Sequence, residues 1–174
     1  MKIDVSALGT APRRIVANLP YNVGTELLFA WLKTATAFES MTLMFQREVA
    51  LRIAAAPGSK TYGRVSIMSQ WLCDVAIAFD INPRAFTPPP QVDSTVISLK
   101  PRAQPLAPAN ATTLERVTAA AFGQRRKMLR QSLKSLGGDP NALCAAANVD
   151  PTARAETLTV EQFCALARAV EAAS

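Results

Sequence analysis

The sequence predicts an α/β sheet, largely parallel with room for an antiparallel last strand, followed by a small all-helical appendage. Three observations predict it. Short apolar runs alternate with helical windows between residues 14 and 99. A Pro/Ala-rich stretch follows at 101–110, and only helical periodicity lies beyond it. Strands alternating with helices favour a sheet with crossover helices, and a change of pattern after a proline-rich stretch marks a second unit.

Taken in order, residues 14–18 read as a short buried strand around Ile15-Val16-Ala17, ending at Asn18. Pro20, Asn22 and Gly24 mark a loop. Thr25 is a candidate N-cap for a helix to residue 33, with Leu27, Leu28, Trp31 and Leu32 on its apolar side. Residues 41–46 read as a second strand, and 47–56 as a helix stopped by Pro57-Gly58. A loop at 57–63, a helix at 65–72 and an alternating strand at 74–81 follow. The run 83–90, Pro-Arg-Ala-Phe-Thr-Pro-Pro-Pro, predicts irregular chain, because proline removes donors and restricts its neighbour. Residues 94–99 form the last expected strand, and 101–110 a linker. Helices are expected at 113–122, 125–136, 140–147 and 160–171, the last capped by Thr159.

Composition narrows the chemistry. The chain has 174 residues, of which 49% are hydrophobic and 18% charged, a globular balance. No apolar run approaches the ~18 residues of a membrane helix. No export signal is visible at Met1-Lys2-Ile3-Asp4, so no membrane partner and a cytoplasmic location are expected. Histidine is absent, which removes His-dependent nucleophilic catalysis and His metal sites. Cys73, Cys144 and Cys164 are widely spaced, so neither a metal site nor a disulfide framework is expected. Net charge is +6. Between residues 116 and 138 lie Arg116, Arg125, Arg126, Lys127, Arg130 and Lys134 and no acid, a block that suits either a polyanion or a solvated helix face.

The sharpest motif is Asn18-Leu19-Pro20-Tyr21, at the carboxyl end of an expected strand, where open α/β sheets bind ligands. The Asn18 side-chain oxygen and the Leu19 carbonyl can each accept a hydrogen bond from an exocyclic amine, while Tyr21 stacks on the ring that carries it. Two acceptors favour a pyramidal nitrogen whose lone pair points at an electrophile, so activation comes from positioning rather than a strong base. By itself the tetrapeptide reads first as a plain turn after a strand.

The wider context is more specific. Arg13-Arg14-Ile15-Val16-Ala17-Asn18-Leu19-Pro20-Tyr21-Asn22 is followed by Phe45-Gln46-Arg47-Glu48-Val49 and by Ser59-Lys60-Thr61-Tyr62-Gly63-Arg64-Val65-Ser66. Then come Phe86-Thr87-Pro88-Pro89-Pro90-Gln91-Val92-Asp93-Ser94 and Ala121-Phe122-Gly123-Gln124-Arg125-Arg126-Lys127. This ordered set resembles the small-subunit ribosomal RNA adenine N6,N6-dimethyltransferases of the KsgA type, over nearly the whole chain. The resemblance implies the C-terminal half of a Rossmann-like S-adenosylmethionine-dependent methyltransferase sheet over 1–100, a linker at 101–110 and a helical RNA-binding domain at 111–174. It implies methyl transfer from S-adenosylmethionine to N6 of two adjacent adenosines near the 3′ end of small-subunit rRNA, with the small ribosomal subunit as partner. Asn18 and the Leu19 carbonyl would hold the amine, and Asn18 would also face the cofactor's methionine part. Tyr21 would stack on the base and Phe86 would close the pocket. Arg125, Arg126, Lys127, Arg130 and Lys134 would neutralise phosphates from a helix beginning near Gln124. Tyr62, Gly63 and Arg64 would either help position RNA or form a helix-leading turn. Gln46, Arg47, Glu48 and Asp93 read as structural.

The family's glycine-rich cofactor turn and its two cofactor-binding acids have no counterpart here; the seven glycines form no GxGxG array. The expectation is that the first half of the methyltransferase domain is missing, that a sheet edge and an apolar face are exposed, and that the isolated chain is inactive. A non-enzymatic RNA-binding remnant and a DNA adenine amino-methyltransferase stay open as alternatives.

Overall fold

The computed structural model describes residues 8–20 and 22–173. The chain divides into two compact units. One holds the chain up to Ala54 together with Leu72–Gln104; the other holds Ala55–Trp71 and the chain from Pro105 onward.

The first unit is built on a four-stranded sheet. Its elements are β1 (Arg14–Asn18), α1 (Gly24–Leu32), β2 (Ser40–Gln46), α2 (Arg47–Ile53), β3 (Cys73–Ile81) and β4 (Ser94–Pro101). The strand order is β1-β2-β4-β3. β1 pairs parallel to β2, while β4 slots antiparallel between β2 and β3. Three of the four strands therefore run the same way, and the antiparallel one is the last in sequence. The β1–α1–β2 segment is a crossover unit, which parallel pairing requires. One face of the sheet is dry: Met41, Leu43, Phe45, Ile97, Leu99 and Cys73 are buried, and α2 packs against β2, β3 and β4 with Ala50 and Ile53 buried.

Four expectations need correction in this unit. β1 is not a buried strand: it sits at a sheet edge and alternates, and Val16 is 81% exposed. Thr25 does not cap α1. The helix begins at Gly24 after Val23 without a side-chain cap, because the Pro20 carbonyl accepts from the Val23 and Gly24 amides at 3.2 and 2.9 Å. α2 ends at Ile53, three residues early, since the chain turns at Ala54 to enter the second unit. Pro83–Ala85 is one turn of 3-10 helix rather than irregular chain: Pro83 occupies a position that needs no donor, and the Asn82 side chain accepts from the Arg84 amide at 2.9 Å.

The second unit contains α3 (Arg64–Leu72, up to Trp71), α4 (Ala111–Gly123), α5 (Leu129–Ser132), α6 (Pro140–Ala146) and α7 (Val160–Ala172). Its core includes Leu114, Val117, Leu129, Leu133, Phe163 and Leu166. Side-chain caps fix the helix starts: Asn110 for α4, Asp139 with Pro140 for α6, and a Thr159–Gln162 capping box for α7. The helix expected at 125–136 is broken. Residues 124–127 form a turn, α5 is four residues long, and Leu133–Leu136 continues as 3-10 helix. The Leu129 and Arg130 amides donate instead to the Ala153 and Pro151 carbonyls, at 2.8 and 3.0 Å. Neither compact unit contains a helix long and apolar enough to cross a membrane, among the described residues.

Candidate functional site

Asn18 ends β1, where parallel register places it beside Met44 of β2. The Leu19 amide continues that pairing by donating to the Met44 carbonyl at 3.3 Å, and the Leu19 side chain is buried. The chain then turns because the Pro20 carbonyl takes two amides of the α1 entry. Two acceptors remain for a ligand: neither the Asn18 side chain nor the Leu19 carbonyl has a hydrogen-bond partner among the described residues. Asn18 is exposed.

Gly24 allows this turn to sit where it does. A Cβ there would lie 3.1 Å from Cε1 of Phe45 and 3.3 Å from Cβ of Leu19, both buried residues. The turn bearing Asn18 and Leu19 is thus pressed onto the sheet through a side-chain-free position.

Across from this turn stands the loop between β3 and β4. Phe86 follows the 3-10 turn, with its amide donating to the Pro83 carbonyl at 3.1 Å, and is half-buried. The Thr87–Pro88 peptide is cis. Asn18, Leu19, Pro20, Met44, Phe86, Pro88 and Pro90 line one cleft of about 310 Å³. It offers two hydrogen-bond acceptors on one side and an aromatic ring and prolines on the other. Such a cleft suits a planar ring that carries an amine. Sequence reasoning found Asn18, Leu19 and Phe86 but missed Met44, Pro20, Pro88 and Pro90. Pro20, Pro88 and Pro90 stood inside the quoted motifs; Met44 needed the strand register. Tyr21 lies outside the described residues.

The lining contains no carboxylate and no glycine-rich turn. It fits the acceptor side of a methyl transfer, together with one amide, that of Asn18, for a donor's polar end; it does not form a cradle for a nucleoside cofactor. No cluster of ligands for a metal ion occurs among the described residues.

The remaining expected residues fall into two groups. Arg126, Lys127, Arg130 and Lys134 are exposed on the turn and short helices after α4. Arg125 is different: its Nε donates to Glu156 at 2.9 Å, and its Nη2 donates to the Lys60 and Ser59 carbonyls. Its charge is spent inside the unit. Tyr62 is fully buried, edge-on to Phe122 at 6.2 Å, and packs as a core residue of the unit; burial pushes its phenol well above the ordinary range. The Gly63 amide donates to Ser66 Oγ at 3.0 Å as a helix-leading turn, and Arg64 is exposed. In the first unit, Arg47 bonds to Asp80, Glu48 pairs with Arg52 at 2.6 Å, and the Asp93 carbonyl accepts from the Arg47 amide at 2.9 Å.

A sequence model of the family described as ribosomal RNA adenine dimethylase matches residues 4–171. The chain belongs to that family. Among relatives, the ribosomal RNA small subunit methyltransferase A of Rhodospirillum rubrum is 68% identical over 173 residues, covering 99% of this chain and 60% of that protein. The protein of the same name from Paramagnetospirillum magneticum is 62% identical, covering 99% of this chain and 61% of that one. The chain thus spans about three fifths of the curated relatives it matches. A solved dimethyladenosine transferase from Plasmodium falciparum superposes with a TM-score of 0.75 at 23% identity, over 95% of this chain and 70% of that one. The 23S rRNA methyltransferase ErmE gives a TM-score of 0.62 at 22% identity, over 97% of this chain and 70% of that one. These two likenesses establish the methyltransferase-type fold of the dimethylase family.

Proposed function

We propose that the cleft binds an extruded adenine of small-subunit rRNA and presents its N6 for methylation, twice at each of two adjacent adenosines near the 3′ end. The Asn18 side-chain oxygen and the Leu19 carbonyl accept from the two amine hydrogens. Phe86 stacks on one face of the ring, with Tyr21 assigned to the other. With both hydrogens held by acceptors, the nitrogen lone pair is drawn out of conjugation and aimed at the methyl donor. S-adenosylmethionine, when bound, supplies the electrophilic methyl; of this chain's residues Asn18 is assigned to face it. Extrusion costs a few kcal/mol, which stacking partly returns. Arg126, Lys127, Arg130 and Lys134 neutralise phosphates and add affinity without reading bases. The helical unit is thereby assigned to RNA, and the small ribosomal subunit is the proposed partner.

The observation that carries this reading is the single cleft joining two unpaired acceptors to Phe86. The test uses an RNA with the 3′-terminal small-subunit sequence, carrying adenine or purine (which lacks the amine) at the target position. Once a ring closes over the cleft, leaving the two acceptors unpaired costs about 1–3 kcal/mol, so the chain prefers adenine by about 5- to 150-fold. Asn18→Ala removes most of that preference and leaves the salt dependence of binding intact. Equal binding of adenine and purine RNAs by the unaltered chain would refute the cleft's role. Dimethyladenosine formed on adding the donor separates the enzymatic reading from the binding one.

A further inference from the structure

We infer that Arg47 is a positioning residue that sets the place of Phe86 by tying together the two ends of its loop. The inference rests on the base-binding reading above. The loop between β3 and β4 covers residues 82–93. Its first anchor is Asp80, two residues before it, and its last residue is Asp93. Arg47 reaches both: its backbone amide donates to the Asp93 carbonyl at 2.9 Å, and its Nε donates to Asp80 Oδ2 at 3.3 Å. Asp80 is fixed from its other oxygen by the hydroxyl of Thr95, a fully buried residue of β4. The carboxyl is held below the ordinary range, first by the Thr95 hydrogen bond and then by Arg47, so it stays ionised and able to grip the guanidinium.

Beyond the Ile81–Ser94 pair that closes the β3–β4 ladder, the loop borders open space. Pro83, Gln91 and Val92 line an open cleft of about 530 Å³ together with Gln46 and Arg47, and Val92 is 44% exposed. The β3–β4 ladder joins the two ends of the loop up to the Ile81–Ser94 pair, and the Arg47 side chain adds a polar tether to β3 one residue inside that end, at Asp80. Asp80 is aimed at Thr95 and Arg47 by a local irregularity. The β3–β4 register shifts between Ile77 and Phe79, and without that bulge Asp80 would face away from Thr95. Arg47 opens α2 directly after β2, the strand whose Met44 floors the base cleft. The same strand thus carries the floor and, one residue past its end, the clamp of the opposite wall.

The test reads base capture apart from RNA affinity. The RNA fragment carries 2-aminopurine at the target position, and its fluorescence change on binding reports the extruded base. Phe86→Ala is expected to abolish the change. Arg47→Gln is expected to lower it by up to about fivefold, the upper end for an exposed ion pair, with RNA affinity and the urea midpoint nearly unchanged. Asp80→Asn gives the same loss from the other side of the tether. The charge-exchanged pair Arg47→Glu with Asp80→Lys restores part of the signal. In a Phe86→Ala background, Arg47→Gln adds nothing. A full signal in both Arg47→Gln and Asp80→Asn, with Phe86→Ala still abolishing it, would overturn the clamp alone. No Phe86-dependent signal in the unaltered chain would overturn the base-binding reading itself.

Discussion

Replacing Gly24 with alanine perturbs the site without altering any group assigned to touch the base. The added Cβ would stand 3.1 Å from Phe45 Cε1 and 3.3 Å from Leu19 Cβ, so a neighbour must yield by a few tenths of an ångström. Neither yields easily, because Phe45 is 3% and Leu19 4% exposed. Overpacking of this kind costs about 1–3 kcal/mol. Alanine returns about 0.5–1 kcal/mol over glycine in a helix, and less at a first position such as this one. The net loss is therefore about 1–2 kcal/mol. With a urea slope of about 1–3 kcal/mol per molar, the midpoint falls by roughly 0.3–2 M. Part of the strain passes to Leu19, so the preference for adenine over purine RNA drops as well. Pairing the change with Phe45→Leu removes the ring atom in conflict, and the double variant should lose less than the sum of the singles. A Gly24→Ala chain as stable as the original, with its adenine preference intact, would refute the idea that this contact holds the turn.

Two further outcomes are expected. The Tyr62 hydroxyl is buried without a hydrogen-bond partner among the described residues, so Tyr62→Phe should leave the urea midpoint unchanged or raise it by up to about 1 kcal/mol in stability; a clear loss would show that the hydroxyl is satisfied. Burial pushes the Cys73 thiol up to about 12 and Cys164 to about 11, with Cys144 also raised. The folded chain should therefore resist iodoacetamide at pH 8, and all three thiols should react in urea. The sign for stability follows from the same shift. Unfolded thiols ionise near about pH 8.5 while the folded ones stay protonated, so their contribution is full below that pH and is lost as pH rises toward the folded values. Rapid native labelling at pH 8 would contradict the burial.

What was legible in the sequence was what is local along the chain. Prolines and apolar runs located all four strands, and the strings around Asn18 and Phe86 named two facing walls of one cleft. What was not legible depends on partners distant in sequence. Arg125 looked like a phosphate ligand because nothing along the chain shows that Glu156 and the carbonyls of residues 59 and 60 take its guanidinium. Tyr62 looked accessible in a loop of small and polar residues, yet it is buried against Phe122. Val16 looked buried because its neighbours are apolar, whereas an edge strand exposes alternate residues. The grouping of residues 55–71 with the helices beyond 105 leaves no mark on composition at all.

The placement of β4 has a consequence for how the chain is made. Among the described residues β3 pairs with no strand but β4, and β4 is the later of the two to be synthesised. Until residues 94–101 emerge, β3 has no strand partner and β2 lacks one of its two among the described residues. The step that closes this gap is also the step that draws the ends of the Phe86 segment together. The β1–β2 pair can form earlier, but a nascent chain joins β3 to the sheet and closes its aromatic wall in one late event, and translation stalled shortly before residue 94 would leave it without either.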